Sequence, residues 1–121
     1  MAKILIIDDA DETRTLVGRF LQAKGYEVVQ AADGNEGLER AAQDRPDLIL
    51  MDLNMPHMTG FEATGLLKNN SDLRHIPVLA LSAETGTGNR DAIYEAGCDG
   101  FLAKPIDFPD LLQTIGKHLP R

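Results

Sequence analysis

The sequence of 121 residues contains a single cysteine, Cys98, so no disulfide can form within the chain. It contains no apolar run near the roughly 18 residues that a membrane-spanning helix needs, and its first residues do not have the layout of a secretion signal. These absences predict a soluble, cytoplasmic protein in which Cys98 is a small buried side chain.

Basic residues are also scarce, since Lys and Arg number 12 against 19 Asp and Glu, which leaves a formal net charge of -7. A nucleic-acid-binding surface needs clusters of positive charge, so this balance argues against that class and leaves protein partners open. The chain shows no low-complexity tract, internal repeat or linker. At this length we expect one domain over residues 1–121, with no effector domain.

Short apolar runs alternate with helical patterns along the chain. The predicted strands are Lys3–Ile7, Glu27–Ala31, Leu48–Met51, Ile76–Leu81 and Asp99–Ala103. Most of these runs are unbroken, as in strands buried on both faces, whereas Glu27–Ala31 is more polar and belongs at a sheet edge. The alternation is typical of βαβ crossovers, so the sequence predicts an α/β fold with a parallel five-stranded sheet and helices on both faces.

The segments between the strands carry apolar residues at helical spacing, among them Leu16 on the predicted apolar face of the first helix and Leu66 in the third helix. Residues 86–88, Gly-Thr-Gly, are predicted to form a flexible loop before the fourth helix. Three aspartates are candidate N-caps, namely Asp11, Asp33 and Asp107.

Polar side chains follow four of the five strands. They are Asp8 and Asp9, then Asp52, then Ser82, then Lys104. Because the carboxyl ends of parallel strands meet at one edge of a sheet, these groups should converge in one shallow pocket. Three carboxylates would repel one another, and a hard divalent cation such as Mg²⁺, which binds carboxylate and phosphate oxygens, would relieve that repulsion.

Each group then has a role that its charge suggests. Asp9 and Asp52 offer oxygens to the metal directly, and Asp8 through water. Asp52 keeps one oxygen to attack a phosphorus, which forms an aspartyl phosphate. The metal and the Lys104 ammonium neutralise the transferring group, and Ser82 can hydrogen-bond the product, whose added charge is enough to pull a hydroxyl and its loop inward.

This constellation resembles the response-regulator receiver domain of the CheY-like family, in register over the whole chain. The resemblance lies in Asp8-Asp9, Asp52 within Leu-Met-Asp-Leu-Asn-Met-Pro, Met58-Thr59-Gly60, Ser82-Ala83 and Lys104-Pro105. It implies a doubly wound, flavodoxin/CheY-like (βα)5 fold with strand order 2-1-3-4-5. Because no segment follows the fifth helix pattern, the chain looks like the stand-alone CheY or DivK type.

The resemblance also implies roles that spacing does not. In the family the backbone carbonyl at the position of Asn54 is a metal ligand, and the peptide before the proline at the position of Pro105 is usually cis. An aromatic at the position of Phe101 swings inward when the hydroxyl at the position of Ser82 moves. Side chains at the positions of Asn54 and Glu84 flank the phosphoryl group and tune its lifetime.

The resemblance therefore implies a single-domain response regulator with Mg²⁺ as its cofactor. A histidine kinase or histidine phosphotransfer protein would supply the phosphoryl group, and a downstream protein would read the switch, with no nucleic acid or membrane involved. We expect a monomer or weak dimer, with no enzymatic activity beyond self-phosphorylation and self-dephosphorylation. An alternative is a phosphorelay intermediate that passes the phosphoryl group to a histidine phosphotransfer protein.

Two rivals come from other classes. The segment Asp9-Ala10-Asp11-Glu12-Thr13 matches the D-x-D-x-T pattern of haloacid-dehalogenase phosphatases, with Asp9 as nucleophile, but no later acidic pair supplies the second half of that site. A flavodoxin-like FMN carrier would need a phosphate loop rich in hydroxyls and glycine, where this chain has acids. The aspartate that carries phosphate and the colour of the protein discriminate these rivals.

Overall fold

The computed structural model describes residues 2–83 and 87–119, and of residues 87–89 the backbone alone. Within these ranges five strands alternate with five helices. The strands are β1 Lys3–Ile7, β2 Glu27–Ala31, β3 Leu48–Asp52, β4 Val78–Ser82 and β5 Gly100–Ala103. The helices are α1 Asp11–Ala23, α2 Gly34–Asp44, α3 Gly60–Lys68, α4 Thr87–Glu95 and α5 Phe108–His118.

All neighbouring strands pair in parallel, and the sheet has the order β2-β1-β3-β4-β5. This confirms the predicted fold class and strand order, with the polar strand β2 at an edge. The chain moves outward from β1 in both directions, so the order reverses between β1 and β3. In open α/β sheets this reversal opens a crevice at the carboxyl ends of the strands, where ligands bind.

Two apolar layers hold helices against the two faces of the sheet. Successive β-strand side chains point to opposite faces, so Ile4 and Ile6 pack with α1 and α5, while Leu5 and Ile7 pack with the other helices. The central strands are therefore covered on both sides, which is why their sequences are unbroken apolar runs. Cys98 is buried in one of these layers, as predicted.

Leu16, predicted on the apolar face of the first helix, is 51% exposed, so that prediction is wrong, and Leu66 on α3 is equally exposed. The buried stripe of α1 passes through Val17 and Leu21, and that of α3 through Ala63 and Leu67. Leu16 directly precedes Val17, and Leu66 directly precedes Leu67. One step along a helix rotates the side-chain direction by about 100°, so a residue next to a buried one can face solvent. Spacing alone did not separate the stripe from its border.

Several element boundaries also differ from the prediction. Strand β4 begins at Val78 because the amide of Ile76 bonds to Leu73 within the preceding turn. Strand β5 begins at Gly100, one residue later than expected. The predicted loop is shorter than expected since α4 begins at Thr87, and residue 86 lies outside the described residues.

The N-cap predictions divide two to one. Asp33 and Asp107 cap α2 and α5, each accepting a backbone N–H from the first turn. The predicted cap Asp11 is wrong: the N-cap of α1 is Ala10, which has no side-chain hydrogen bond to offer, and Asp11 is the first helical residue. Among the described residues, none of the helices has the length and apolar character that crossing a bilayer requires.

Candidate functional site

The sheet itself fixes the backbone of the residues that follow the strands. The amide of Asp8 donates to the carbonyl of Ala31 at 3.1 Å, and the amide of Lys104 donates to the carbonyl of Ser82 at 2.8 Å. Asp52 is the last residue of β3 and pairs with Leu81. Since each position extends the parallel ladder, the polar side chains leave the sheet from a common edge.

Three carboxylates meet at this edge. Oxygen atoms of Asp8, Asp9 and Asp52 lie within 4.8 Å of one another. Asp8 is fully buried and Asp52 is 3% exposed, whereas Asp9 is exposed at the mouth of the pocket. The structure thus brings together the acids that the sequence placed at the ends of two different strands.

Lys104 lies between two of these acids. Its ammonium is 3.0 Å from Oδ2 of Asp8 and 3.4 Å from Oδ1 of Asp52. Burial favours the neutral amine, but the hydrogen bond to Asp8 and the charges of both acids outweigh it, so the pKa of Lys104 is raised. The pocket therefore keeps a permanent cation beside its carboxylates.

Asp52 holds a proton more tightly than an ordinary aspartate. Burial, and then the negative charge of Asp8, raise its pKa from 3.8 to about 6, although the N–H of Asn54 and the ammonium of Lys104 act in the opposite direction. One lysine does not neutralise three acids. The pocket retains excess negative charge that a cation would compensate.

The turn after Asp52 depends on a close backbone contact at Gly60. The N–H of Gly60 donates to the carbonyl of Leu53 at 3.1 Å, and a Cβ at this position would lie 2.2 Å from the carbonyl oxygen of Asp52. Only glycine fits there. Thr59, which precedes it, forms a capping box with Glu62, so α3 begins at a defined point beside the pocket.

The remaining predicted site residues are distributed around this centre. Ser82 is buried at the end of β4, next to the residue opposite Asp52. The N–H of Asn54 donates to Oδ1 of Asp52 at 3.2 Å, and the Asn54 side chain is exposed. The Lys104–Pro105 peptide is cis, as the resemblance implied. Glu84 lies outside the described residues.

Phe101 on β5 is half-buried and packs beneath two side chains of α4. Its ring centre is 5.3 Å from the guanidinium of Arg90 and 6.3 Å from the ring centre of Tyr94, which meets it edge-on. Tyr94 is 52% exposed. The aromatic ring on β5 is thus part of the surface that α4 and β5 share.

One site residue was not recognised from the sequence. The guanidinium of Arg14 on α1 donates to the backbone carbonyl of Asp8 and to the carboxylate of Asp11. The spacing of Asp11 and Arg14 indicates an ion pair on one helix face. The contact with the Asp8 carbonyl had no sequence signal, because it depends on how the β1–α1 turn folds back over the helix.

The donor atoms at this edge fit a small, hard divalent cation. They are carboxylate oxygens drawn from two strand ends, two of them buried, in a pocket with surplus negative charge. Mg²⁺ binds few protein carboxylates and retains water ligands, which suits a partly open pocket of this kind.

Comparison with known proteins agrees with this geometry. The family model described as "Response regulator receiver domain" matches residues 4–116. The chain belongs to the response-regulator receiver family. It therefore carries the receiver domain of a two-component signalling system, and receiver domains bind Mg²⁺ at an acidic pocket such as that of Asp8, Asp9 and Asp52.

Relatives of this receiver match along nearly its whole length. The polar-differentiation response regulator DivK of Brucella anthropi is 38% identical over 116 residues, which are 96% of this chain and 94% of DivK. The chemotaxis protein CheY4 of Vibrio cholerae has a TM-score of 0.94 at 40% identity, covering 98% of this chain and 99% of that one.

A second similar structure contains a metal ion. The receiver domain of the sensor histidine kinase PA1611 from Pseudomonas aeruginosa PAO1 has a TM-score of 0.89 at 31% identity and covers 97% of this receiver and 96% of its own chain. That structure has a magnesium ion coordinated in its active site cleft.

Proposed function

We propose that this receiver is a Mg²⁺-dependent switch that accepts a phosphoryl group on Asp52. The observation that carries the proposal is the position of the Asp52 carboxylate, buried at a strand end, within 4.8 Å of two further carboxylates and 3.4 Å from the Lys104 ammonium. A nucleophile for phosphoryl transfer needs this combination of acceptor oxygen, metal-binding acids and fixed cation.

Four groups would hold the metal: the carboxylates of Asp8, Asp9 and Asp52 and the backbone carbonyl of Asn54. Bound Mg²⁺ supplies positive charge to the oxygens of the transferring phosphoryl group. Lys104 supplies the second positive charge, and Ser82 donates its hydroxyl to a phosphoryl oxygen of the product.

In the transfer step, an oxygen of Asp52 forms a bond to the phosphorus of a phosphohistidine. The phosphorus–nitrogen bond of the donor breaks, and its electron pair stays on the imidazole, which then takes a proton from water. Negative charge accumulates on the phosphoryl oxygens, and Lys104 is already charged and hydrogen-bonded in place. No reorganisation of this cation is needed when the charge develops.

Labelling with a small phosphodonor, followed by peptide mapping, tests the acceptor. We expect one label per chain in Mg²⁺, located in the peptide that contains Asp52, and no label on Asp52→Asn. Asp91→Asn, which changes an exposed acid on α4, serves as the control and should label normally. Stoichiometric label on Asp9 would instead support phosphatase-type chemistry.

Thermal unfolding tests the metal separately from the chemistry. Millimolar Mg²⁺ should raise the melting temperature of the unphosphorylated protein, because it binds only the assembled pocket. Asp9→Ala should lose most of that increase. An equal increase in wild type and Asp9→Ala would contradict the proposed ligand set.

A surface groove beside Lys104 is a candidate docking site for a protein phosphodonor. Its lining includes the exposed Leu16 together with Pro105 and Phe108, and Lys104 connects it to the pocket. We propose that the histidine-bearing donor, a kinase or phosphotransfer protein, contacts this groove while its imidazole reaches Asp52. A single exposed leucine is ordinary, but a largely apolar groove whose lining includes Lys104, 3.4 Å from Asp52, suits a transient partner.

The two exposed leucines provide a matched test of the donor groove. Leu16→Asp should slow phosphorylation by a protein donor at least about tenfold, the effect of losing an apolar contact of moderate size, while labelling by a small phosphodonor is unchanged. Leu66→Asp, equally exposed but on α3, should leave both rates as in wild type. Equal rates of protein-donor labelling in the two variants would refute this docking site.

The output face in this proposal is the surface of α4 and β5 around Phe101. The ring of Phe101 lies under Arg90 and Tyr94, so a change in its position would alter both exposed side chains. Pull-down with phosphorylated and unphosphorylated protein should recover a state-specific partner, and Tyr94→Ala should weaken its capture. Return of the label to a histidine phosphotransfer protein would identify a relay intermediate instead.

A further inference from the structure

Arg14 is more buried than its only acidic partner on α1 can explain. Its side chain is 12% exposed, whereas the side chain of Asp11 is 90% exposed. An ion pair with so exposed a carboxylate contributes little to stability because water screens it. The other acceptor of the Arg14 guanidinium is the backbone carbonyl of Asp8.

The β1–α1 turn lacks the usual anchor at a helix start. The N-cap Ala10 has no side chain that can accept from the first-turn N–H groups. The turn is held by the amide of Ala10, which donates to Oδ1 of Asp8 at 2.9 Å, and by Arg14. Arg14 does not satisfy the first-turn N–H groups, but by donating to the Asp8 carbonyl it helps to fix the path of the chain into α1.

The contact with the Asp8 carbonyl also fixes Asp9. The carbonyl of Asp8 and the amide of Asp9 belong to one planar peptide group, so holding the oxygen sets the direction in which the Asp9 backbone continues. Asp9 is exposed at the mouth of the pocket, yet its carboxylate must reach the same point as those of Asp8 and Asp52.

We infer that Arg14 is a positioning residue for the cation pocket: it orients Asp9 by clamping the Asp8–Asp9 peptide, and so raises the affinity of the pocket for Mg²⁺. This inference rests on the proposed function, because it takes Asp9 as a metal ligand. Groups that orient ligands from outside the coordination sphere typically change metal affinity by about 10- to 100-fold.

The direction in which Mg²⁺ affinity changes when Arg14 is replaced distinguishes a positioning role from a purely electrostatic one. A guanidinium close to an acidic pocket opposes cation binding electrostatically, so removing it should tighten Mg²⁺ binding if charge alone matters. Positioning predicts the opposite result. Arg14→Met, which keeps the length of the side chain and loses its donors, should bind Mg²⁺ about tenfold more weakly.

Calorimetric titration of Mg²⁺ into unphosphorylated protein tests this inference, with Arg19→Met on the exposed face of α1 as the control. Arg14→Lys keeps the charge but not the two-pronged donor, and it should lie between wild type and Arg14→Met. If Arg14→Met is too unstable to titrate, the test relies on Arg14→Lys. We then expect its affinity for Mg²⁺ to be several-fold lower than that of the wild type.

Three results would be read differently. Weaker binding by both Arg14 variants, with Arg19→Met unchanged, supports the inference. Unchanged or tighter binding by Arg14→Met, or by Arg14→Lys where that variant decides, overturns it and leaves the proposed function intact. Absence of Mg²⁺ binding by the wild type would overturn the proposed function itself.

Discussion

Lys104 and Asp8, which are 96 residues apart in the chain, join an ammonium and a carboxylate at 3.0 Å. The acid is fully buried, and the lysine is a quarter exposed. This pair spans the sheet edge from β1 to the end of β5, with Asp52 between them in the strand order. The pocket is therefore a product of strand order, and Lys104 is paired with two of its carboxylates.

Lys104→Met should destabilise the metal-free protein by about 2 kcal/mol, because it leaves the buried carboxylate of Asp8 without its cationic partner. The increase in melting temperature on adding Mg²⁺ should be larger than for wild type, since a competing positive charge is gone. Thermal unfolding with chelator and with Mg²⁺ measures both effects. Lys117→Met on the exposed side of α5 is the control, and equal Mg²⁺ responses in the two variants would argue against competition.

Gly60→Ala should destabilise the protein by at least about 2 kcal/mol, because its Cβ has no space against the backbone of β3. It should also reduce labelling of Asp52, whose carbonyl is the obstructing atom. Gly65→Ala in the same helix meets nothing within 4 Å and should stabilise by about 0.5 kcal/mol through helix propensity. Chemical denaturation of both variants gives the comparison, and similar free energies of unfolding would show that the turn adapts.

Asp52→Asn should be more stable than wild type in chelator at neutral pH, and this advantage should disappear in acid. The pKa of Asp52 is raised in the folded state, to about 6 from 3.8, so the folded protein holds the proton to higher pH. Wild-type stability therefore falls as pH rises through this window and is then constant, whereas the neutral asparagine has no such loss. With screening, we expect a difference of about 1 to 2 kcal/mol above the window.

Denaturant titrations at a series of pH values measure this difference, with Asp91→Asn as the exposed-acid control. Mg²⁺ should reduce the advantage of Asp52→Asn because it stabilises the ionised wild-type pocket. The affinity for Mg²⁺ should fall as pH decreases through about 6, since the cation competes with the proton on Asp52. A pH-independent difference would mean that Asp52 is ionised normally.

Lys68→Met should lower stability without changing the chemistry of the pocket. The Lys68 ammonium donates to the carbonyls of Arg74 and Ile76 and to the carboxylate of Asp99, which also accepts the amide of Val78. This network ties the starts of β4 and β5 at the edge opposite the pocket. We expect a loss of about 1 to 2 kcal/mol in unfolding experiments, with labelling of the folded variant unchanged.

The strand positions and the fold class were predictable because both follow from short-range pattern. Unbroken apolar runs indicate strands that are buried on both faces. The strict alternation of strands with helices predicts a parallel sheet. Leu16 was assigned to the apolar face of its helix because spacing does not say which residue lies at the border of a buried stripe. The start of α1 was misread because Asp11 is a good cap by type, although the backbone makes Ala10 the cap.

The residues that form the site could be predicted, but the contacts that hold them in position could not. Aspartates, serine and lysine directly after strands could be placed at one sheet edge from the parallel topology alone. The bond from Arg14 to the Asp8 carbonyl and the contact of Gly60 with Asp52 had no such signal, because each depends on the path of a turn. In each case the partner is a backbone carbonyl, and every residue has one, so residue type does not reveal which carbonyl is contacted.

The amino-acid sequence by itself determined which groups this receiver brings to the edge of its sheet, since hydrophobic periodicity sets the strands and the residue after each strand is then assigned. Only the tertiary structure decided how those groups act on one another. Burial, the order of the strands and distances of 3 to 4 Å set which acid Lys104 holds and how far the pKa of Asp52 rises. Electrostatic interactions depend on such distances and on the exclusion of water, and neither exists until the chain has folded.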